Sequence, residues 1–162
     1  MQYCQKVLNE LKPHFSSLKE VTLNEIPEDE LEDELMGYSQ IDAIESEWTY
    51  DKNLRMIPVR PSEIIIRSKD CKGNEMNYDK LLATLTHEIA HCLAPYVQSK
   101  IKKKWREDNH TIYFYTTYLK VARKCYELGF WKNKSMLTIN NLKRLDQMNT
   151  IDNYVLVNSI TK

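Results

Sequence analysis

Residues 85–93 read LTHEIAHCL, and no other stretch constrains so tightly what this chain can fold into. Two histidines, His87 and His91, stand four apart, with Glu88 directly after the first. On a helix each residue advances about 100°, and residues four apart have Cβ atoms about 5–6 Å from one another. His87, His91, Thr84 and Glu88 then share one arc, and Leu81, Leu82, Leu85, Ile89, Cys92 and Leu93 share the opposite one. Both imidazoles can reach a single metal ion. Zinc suits neutral imidazole nitrogen and tolerates an open coordination position. Glu88 is badly placed to join both histidines on that ion and well placed to act as general base toward a water beside it. The flanking Thr84, Leu85, Ile89, Ala90, Cys92 and Leu93 are uncharged, as a buried helix requires. Burying two histidines and a glutamate with no metal would be costly in desolvation. The plainer alternative is a helix with two ordinary histidines and a surface carboxylate.

The elements around the motif follow from local pattern. Residues 2–15 read as an amphipathic helix with Val7, Leu8 and Leu11 on one side, and residues 17–26 as a strand. Residues 27–37, PEDELEDELMG, are an acidic connector that can form a short helix. Residues 47–59 suggest strand, turn and strand. SEIIIRS, 62–68, is the strongest strand signal, three isoleucines in a row. A loop at 69–77 leads to Asn77, a good N-cap, and the motif helix runs to about Leu93, where Pro95 stops it. Residues 96–109 read as a basic connector. A long helix from Thr111 to Leu128 ends at Gly129, and a short one covers about 136–147.

The length, 162 residues, predicts one domain over 1–150 with a C-terminal tail at 151–162. The expected fold is α+β, a small mixed sheet packed against the motif helix and the long helix that follows it. No apolar run reaches the 18 or more residues of a membrane span, and the N-terminus lacks the pattern of a signal peptide. An intracellular protein, cytoplasmic or nuclear, is therefore expected. Cys4, Cys71, Cys92 and Cys125 are scattered without a CxxC pair, which argues against a zinc ribbon or a disulfide framework.

Catalytic zinc takes three protein ligands. The metzincin spacing would need Gly at 94 and His at 97, where this chain has Ala94 and Val97. His14 lies far upstream. His110, which opens the long helix, is the natural third ligand; Glu107, Asp108 and Glu127 are its rivals, and Asp108 could instead orient a ligand histidine.

LLATLTHEIAHCLAP, the loop after it, and NHTIYFYTTYLKVARKCYELGF together resemble the WLM and SprT-like metalloproteases, compact gluzincin-like zinc enzymes. His110-Thr111-Ile112-Tyr113-Phe114 is similar to the pattern that begins with their third histidine. With WTYDKN and SEIIIRS in order before the helix, the resemblance spans roughly residues 47–130. It implies a minigluzincin-like zinc endopeptidase, with His87, His91 and His110 as Zn2+ ligands and Glu88 as catalytic base. It also implies polypeptide substrates, and members of the family cleave proteins crosslinked to DNA.

Charge is unevenly spread. Residues 1–51 hold 13 acidic against 3 basic side chains, and residues 100–144 hold 12 basic against 3 acidic. In KIKKKWR, Lys100, Lys102, Lys103, Lys104 and Arg106 flank Trp105, a pattern that could contact DNA phosphates and stack on a base, or simply be a solvated loop. SEIIIRS could offer a sheet edge to an extended substrate or lie centrally in the sheet. Tyr96, Tyr113 and Tyr115 are candidate second donors to an oxyanion. YVLVNS, 154–159, could add a strand to a partner or be a packed tail. The alternatives to a protease are a noncatalytic zinc-stabilised module for DNA or protein, and a zinc hydrolase of another substrate.

Overall fold

The computed structural model describes residues 1–26, 37–40, 63–69, 73–94, 98–101, 104–107 and 110–147, with backbone alone at 37–40, 98–101, 104–107 and 147. The expected strands at 47–59, the acidic segment 27–36, Pro95, Tyr96 and the tail lie outside these residues. The described elements mix helices with a small sheet, as an α+β chain should.

Helix α1 spans Gln2–Leu11 and buries Cys4, Val7, Leu8 and Leu11, one stripe at helical spacing. It stops short of residue 15. Pro13 has no N–H to continue the α ladder, and the chain tightens into a 3-10 turn over Lys12–His14. A second 3-10 turn, Ser16–Leu18, takes up the start of the expected strand, so β1 is only Thr22–Glu25.

Strand β3, Glu63–Ile66, is central in a three-stranded mixed sheet. It runs parallel to β1, with Leu23 opposite Ile64, and antiparallel to β2, Gly37–Gln40, with Ser39 opposite Ile64. Ile64, Ile65 and Ile66 are all buried. Consecutive residues of a strand face opposite sides, so three buried isoleucines in a row mean a strand covered on both faces. The expectation that SEIIIRS supplies an edge to substrate is thereby corrected, because β1 and β2 occupy its two sides.

Helix α2 spans Tyr78–Leu93. Asn77 caps it: its side-chain oxygen accepts from the Lys80 N–H at 2.9 Å, an interaction worth about 1 kcal/mol. At the other end Ala94 has turned extended, with ψ 137°, the conformation favoured before a proline. The basic segment after it is not simply a connector. Gln98–Ile101 and Lys104–Glu107 form an antiparallel pair, β4 and β5, with Lys100 opposite Trp105.

Helix α3, Ile112–Glu127, packs on α2, and the fully buried Tyr118 donates its hydroxyl to the Ala83 carbonyl at 3.2 Å. Its C-terminus closes with Gly129 at φ 80°. There the Gly129 N–H bonds the Tyr126 carbonyl and the Phe130 N–H bonds the Cys125 carbonyl, two carbonyls that the helix itself leaves open. Helix α4, Ile139–Gln147, buries Leu142 and Leu145 and packs on α3. Side chains from α1, β3, α2, α3 and α4 share one apolar cluster. Among the described residues no helix is long and apolar enough to cross a membrane.

Candidate metal centre

Three histidines converge on the polar arc of α2. His91 Nε2 lies 3.1 Å from His87 Nε2, and His110 Nε2 lies 3.2 Å from the same atom. The donor atoms of all three fall within 4.8 Å of one another. His87 and His91 owe their placement to the four-residue repeat of one helix. His110 owes its placement to the start of the next. Thr111 is the N-cap of α3, its hydroxyl accepting from the Phe114 N–H at 3.4 Å, so His110 stands one residue outside the helix. The packing of α3 on α2 then sets it opposite the other two.

This arrangement fits a metal ion that takes imidazole nitrogen. A tetrahedral ion with Zn–N bonds of about 2.0–2.1 Å separates its ligand nitrogens by roughly 3.3 Å. The two Nε2 separations measured to His87 are close to that value. The electrostatics agree. Burial, with His87 and His110 nearby, pushes His91 down to about 3, so its lone pair is free at neutral pH. His87 is different. Burial pulls it down, but its hydrogen bond to Asp146 and the charges of Glu88 and Asp146 together raise it.

The support beneath the cluster is aromatic. The Phe114 ring centroid lies 4.9, 4.4 and 4.7 Å from those of His87, His91 and His110. Tyr118 meets His87 edge-on at 5.6 Å. Phe114 and Tyr118 are buried, whereas His110 is exposed, so the centre is walled on the core side and open on the side of His110. Glu88 is buried beside His87 and is not one of the three converging donors. Its neighbour Cys92 is pushed up to about 12, chiefly by burial, and stays a thiol.

The other candidates separate. Glu127 lies at the far end of α3, in an ion pair with Lys124, and is no rival ligand. His14 is exposed in the first 3-10 turn, apart from the cluster. Asp108 lies outside the described residues, as do Lys102 and Lys103; Glu107, Lys100, Lys104 and Arg106 are placed by backbone alone. Tyr113 is exposed, and Tyr115 is buried with its hydroxyl pushed up by burial and by Asp146.

Asp146 is the residue that sequence reasoning missed. Its Oδ1 accepts from His87 Nδ1 at 2.8 Å, across 59 residues of sequence. A signal was present. On α4, Leu142, Leu145 and Asp146 sit at i, i+3 and i+4, which puts an acid in the apolar stripe. Compared with models of known families, with curated proteins and with solved structures, the chain matches none.

Proposed function

We propose that the protein is a zinc-dependent endopeptidase of the WLM/SprT-like, minigluzincin kind, in which His87, His91 and His110 hold the zinc ion and Glu88 is the general base. The observation that carries this reading is the convergence of three imidazole nitrogens beside a buried carboxylate that is not among the donors. Structural zinc sites are closed by four protein ligands, whereas catalytic ones use three and keep a position open. Among the described residues the group has three members, and its His110 side is exposed. A purely structural site would have no use for Glu88.

When bound, zinc supplies a Lewis acid that polarises a carbonyl and makes water acidic enough to attack near neutral pH. The chain's own residues do the rest. The Glu88 carboxylate takes a proton from the attacking water and delivers it to the amine nitrogen as the peptide C–N bond breaks. Phe114 and Tyr118 keep bulk water from the rear of the imidazoles and hold their rings in place. The substrate is polypeptide that enters past His110. The basic region, with Lys100, Lys104 and Arg106 on the β4–β5 pair and Lys102 and Lys103 between them in sequence, supports action on proteins associated with DNA.

The test is incubation of zinc-loaded protein with a disordered polypeptide, with and without single-stranded DNA, beside Glu88→Gln. Glu88→Gln should keep its zinc while cleavage falls about 10²–10⁴-fold. Loss of zinc would make Glu88 a ligand, and undiminished cleavage would end its role as base. No cleavage by the original protein under either condition would favour a zinc-stabilised binding module.

A further inference from the structure

A histidine that binds metal through Nε2 must carry its proton, if neutral, on Nδ1. Which tautomer forms depends on what Nδ1 meets, and in this chain it meets Asp146 at 2.8 Å. Both side chains are mostly buried, at 14% exposed for His87 and 12% for Asp146, so water competes little for that bond. Asp146 is itself held by packing. Leu142 and Leu145, one helical turn and one residue before it, are 0% and 5% exposed against the core. That packing holds the Asp146 backbone in place against α3.

We propose that Asp146 is a positioning residue of the metal centre, fixing His87 as the Nδ1–H tautomer so that its Nε2 lone pair faces His91 and His110. The inference rests on the reading of the three histidines as a metal site. It adds a third helix to that site. Two ligands come from α2 and one from the start of α3, but the orientation of the central imidazole comes from α4, near the C-terminal end of the described chain. Carboxylates that receive the outer N–H of a ligand histidine raise its basicity and hold its ring plane, and their loss costs about 10–100-fold in metal affinity. Coupling between sites is reciprocal, so metal bound at Nε2 must in turn strengthen the docking of α4 through Asp146.

The experiment is zinc titration of the full chain against a chromophoric chelator, for the original protein, Asp146→Ala, Asp146→Asn and His87→Ala. Nitrogen–proton spectra of the imidazoles in the metal-free proteins, taken at a pH high enough that His87 is neutral, accompany it. Asp146→Ala should bind zinc about 10–100-fold more weakly and show His87 as a mixture of tautomers. Asp146→Asn has the same shape and keeps an acceptor oxygen without the charge; it should hold the Nδ1–H form and lose less affinity. If Asp146→Ala fails to fold, the Asn variant carries the comparison. Zinc affinity equal to the original in both Asp146 variants, with the original and not His87→Ala binding zinc, would overturn the positioning role and leave the metal centre standing. Failure of the original protein to bind zinc would overturn both. His87 found in the Nε2–H form in the original protein would also sink the proposal.

Discussion

Helices α1 and α2 both carry an apolar stripe, yet they treat their other faces in opposite ways. In α1 the stripe Cys4, Val7, Leu8 and Leu11 is buried, and Gln2, Gln5, Lys6, Asn9 and Glu10 are exposed. Water satisfies the polar face at no cost. In α2 no residue from Lys80 to Ala94 is exposed, and Thr84 and Glu88 on the polar arc are buried. Removing a carboxylate and imidazoles from water costs several kcal/mol unless they gain partners. The first helix is therefore arranged for stability alone. The second spends stability on an arc that brings His87 and His91 together with His110.

Exchanging chemistry between the two helices breaks the comparison most sharply on α2. His91→Leu replaces a proposed ligand by an apolar side chain in a site that the core walls on one side. Stoichiometric zinc binding should vanish, while the metal-free protein unfolds within about 1 kcal/mol of the original in denaturant. A variant that keeps its zinc would show that His91 is not a ligand, and one that collapses without it would mean that the arc is structural. On α1 the converse holds. Leu8→Ala should cost about 2–5 kcal/mol of stability through the cavity it leaves, with one zinc per folded chain unchanged. Metal lost from a folded Leu8→Ala protein would show that α1 also shapes the site.

A smaller effect comes from pH and sharpens the same contrast in the metal-free protein. His91 is held down to about 3 by burial and by His87 and His110, against an ordinary value near 6.5. Between those values the unfolded chain binds a proton that the folded one refuses, so stability contributed above 6.5 drains away as pH falls toward 3. His87 is raised and works with the opposite sign: its share is full below 6.5 and is lost as pH rises through the folded value. His91→Leu deletes only the first contribution. Equilibrium unfolding of the two metal-free proteins should therefore diverge below pH 6.5, the original losing at most about 1.4 kcal/mol per pH unit relative to the variant. Parallel curves would mean that His91 takes up its proton in the folded state as readily as in water.

What the sequence disclosed was what local rules govern. The HExxH spacing, the cap at Asn77, the glycine at 129 and the opening position of His110 all depend on neighbours within a turn or two, and each stands in the structure where the pattern put it. Long-range pairings were hidden. Strand β2 reads GYSQ, with no run of β-branched residues, and is a strand because β3 offers it a partner. The β4–β5 pair is built from lysine-rich sequence that carries no alternation of apolar and polar residues. Asp146 reaches His87 only because α4 folds back on α3; local pattern gave its place in the apolar stripe but not what it faces. Pro13 was a local signal whose consequence, an earlier end to α1, outweighed the amphipathic pattern beyond it.

Completion of one metal centre by His110, with His87 and His91, is the step on which the proposed zinc chemistry depends. It is tested most directly by metal analysis of purified protein after exhaustive dialysis, original and His110→Ala side by side. One zinc per chain is expected in the original protein, and strongly weakened zinc binding in His110→Ala. Retention of zinc by His110→Ala at the level of the original would contradict it, because another residue would then be the third ligand.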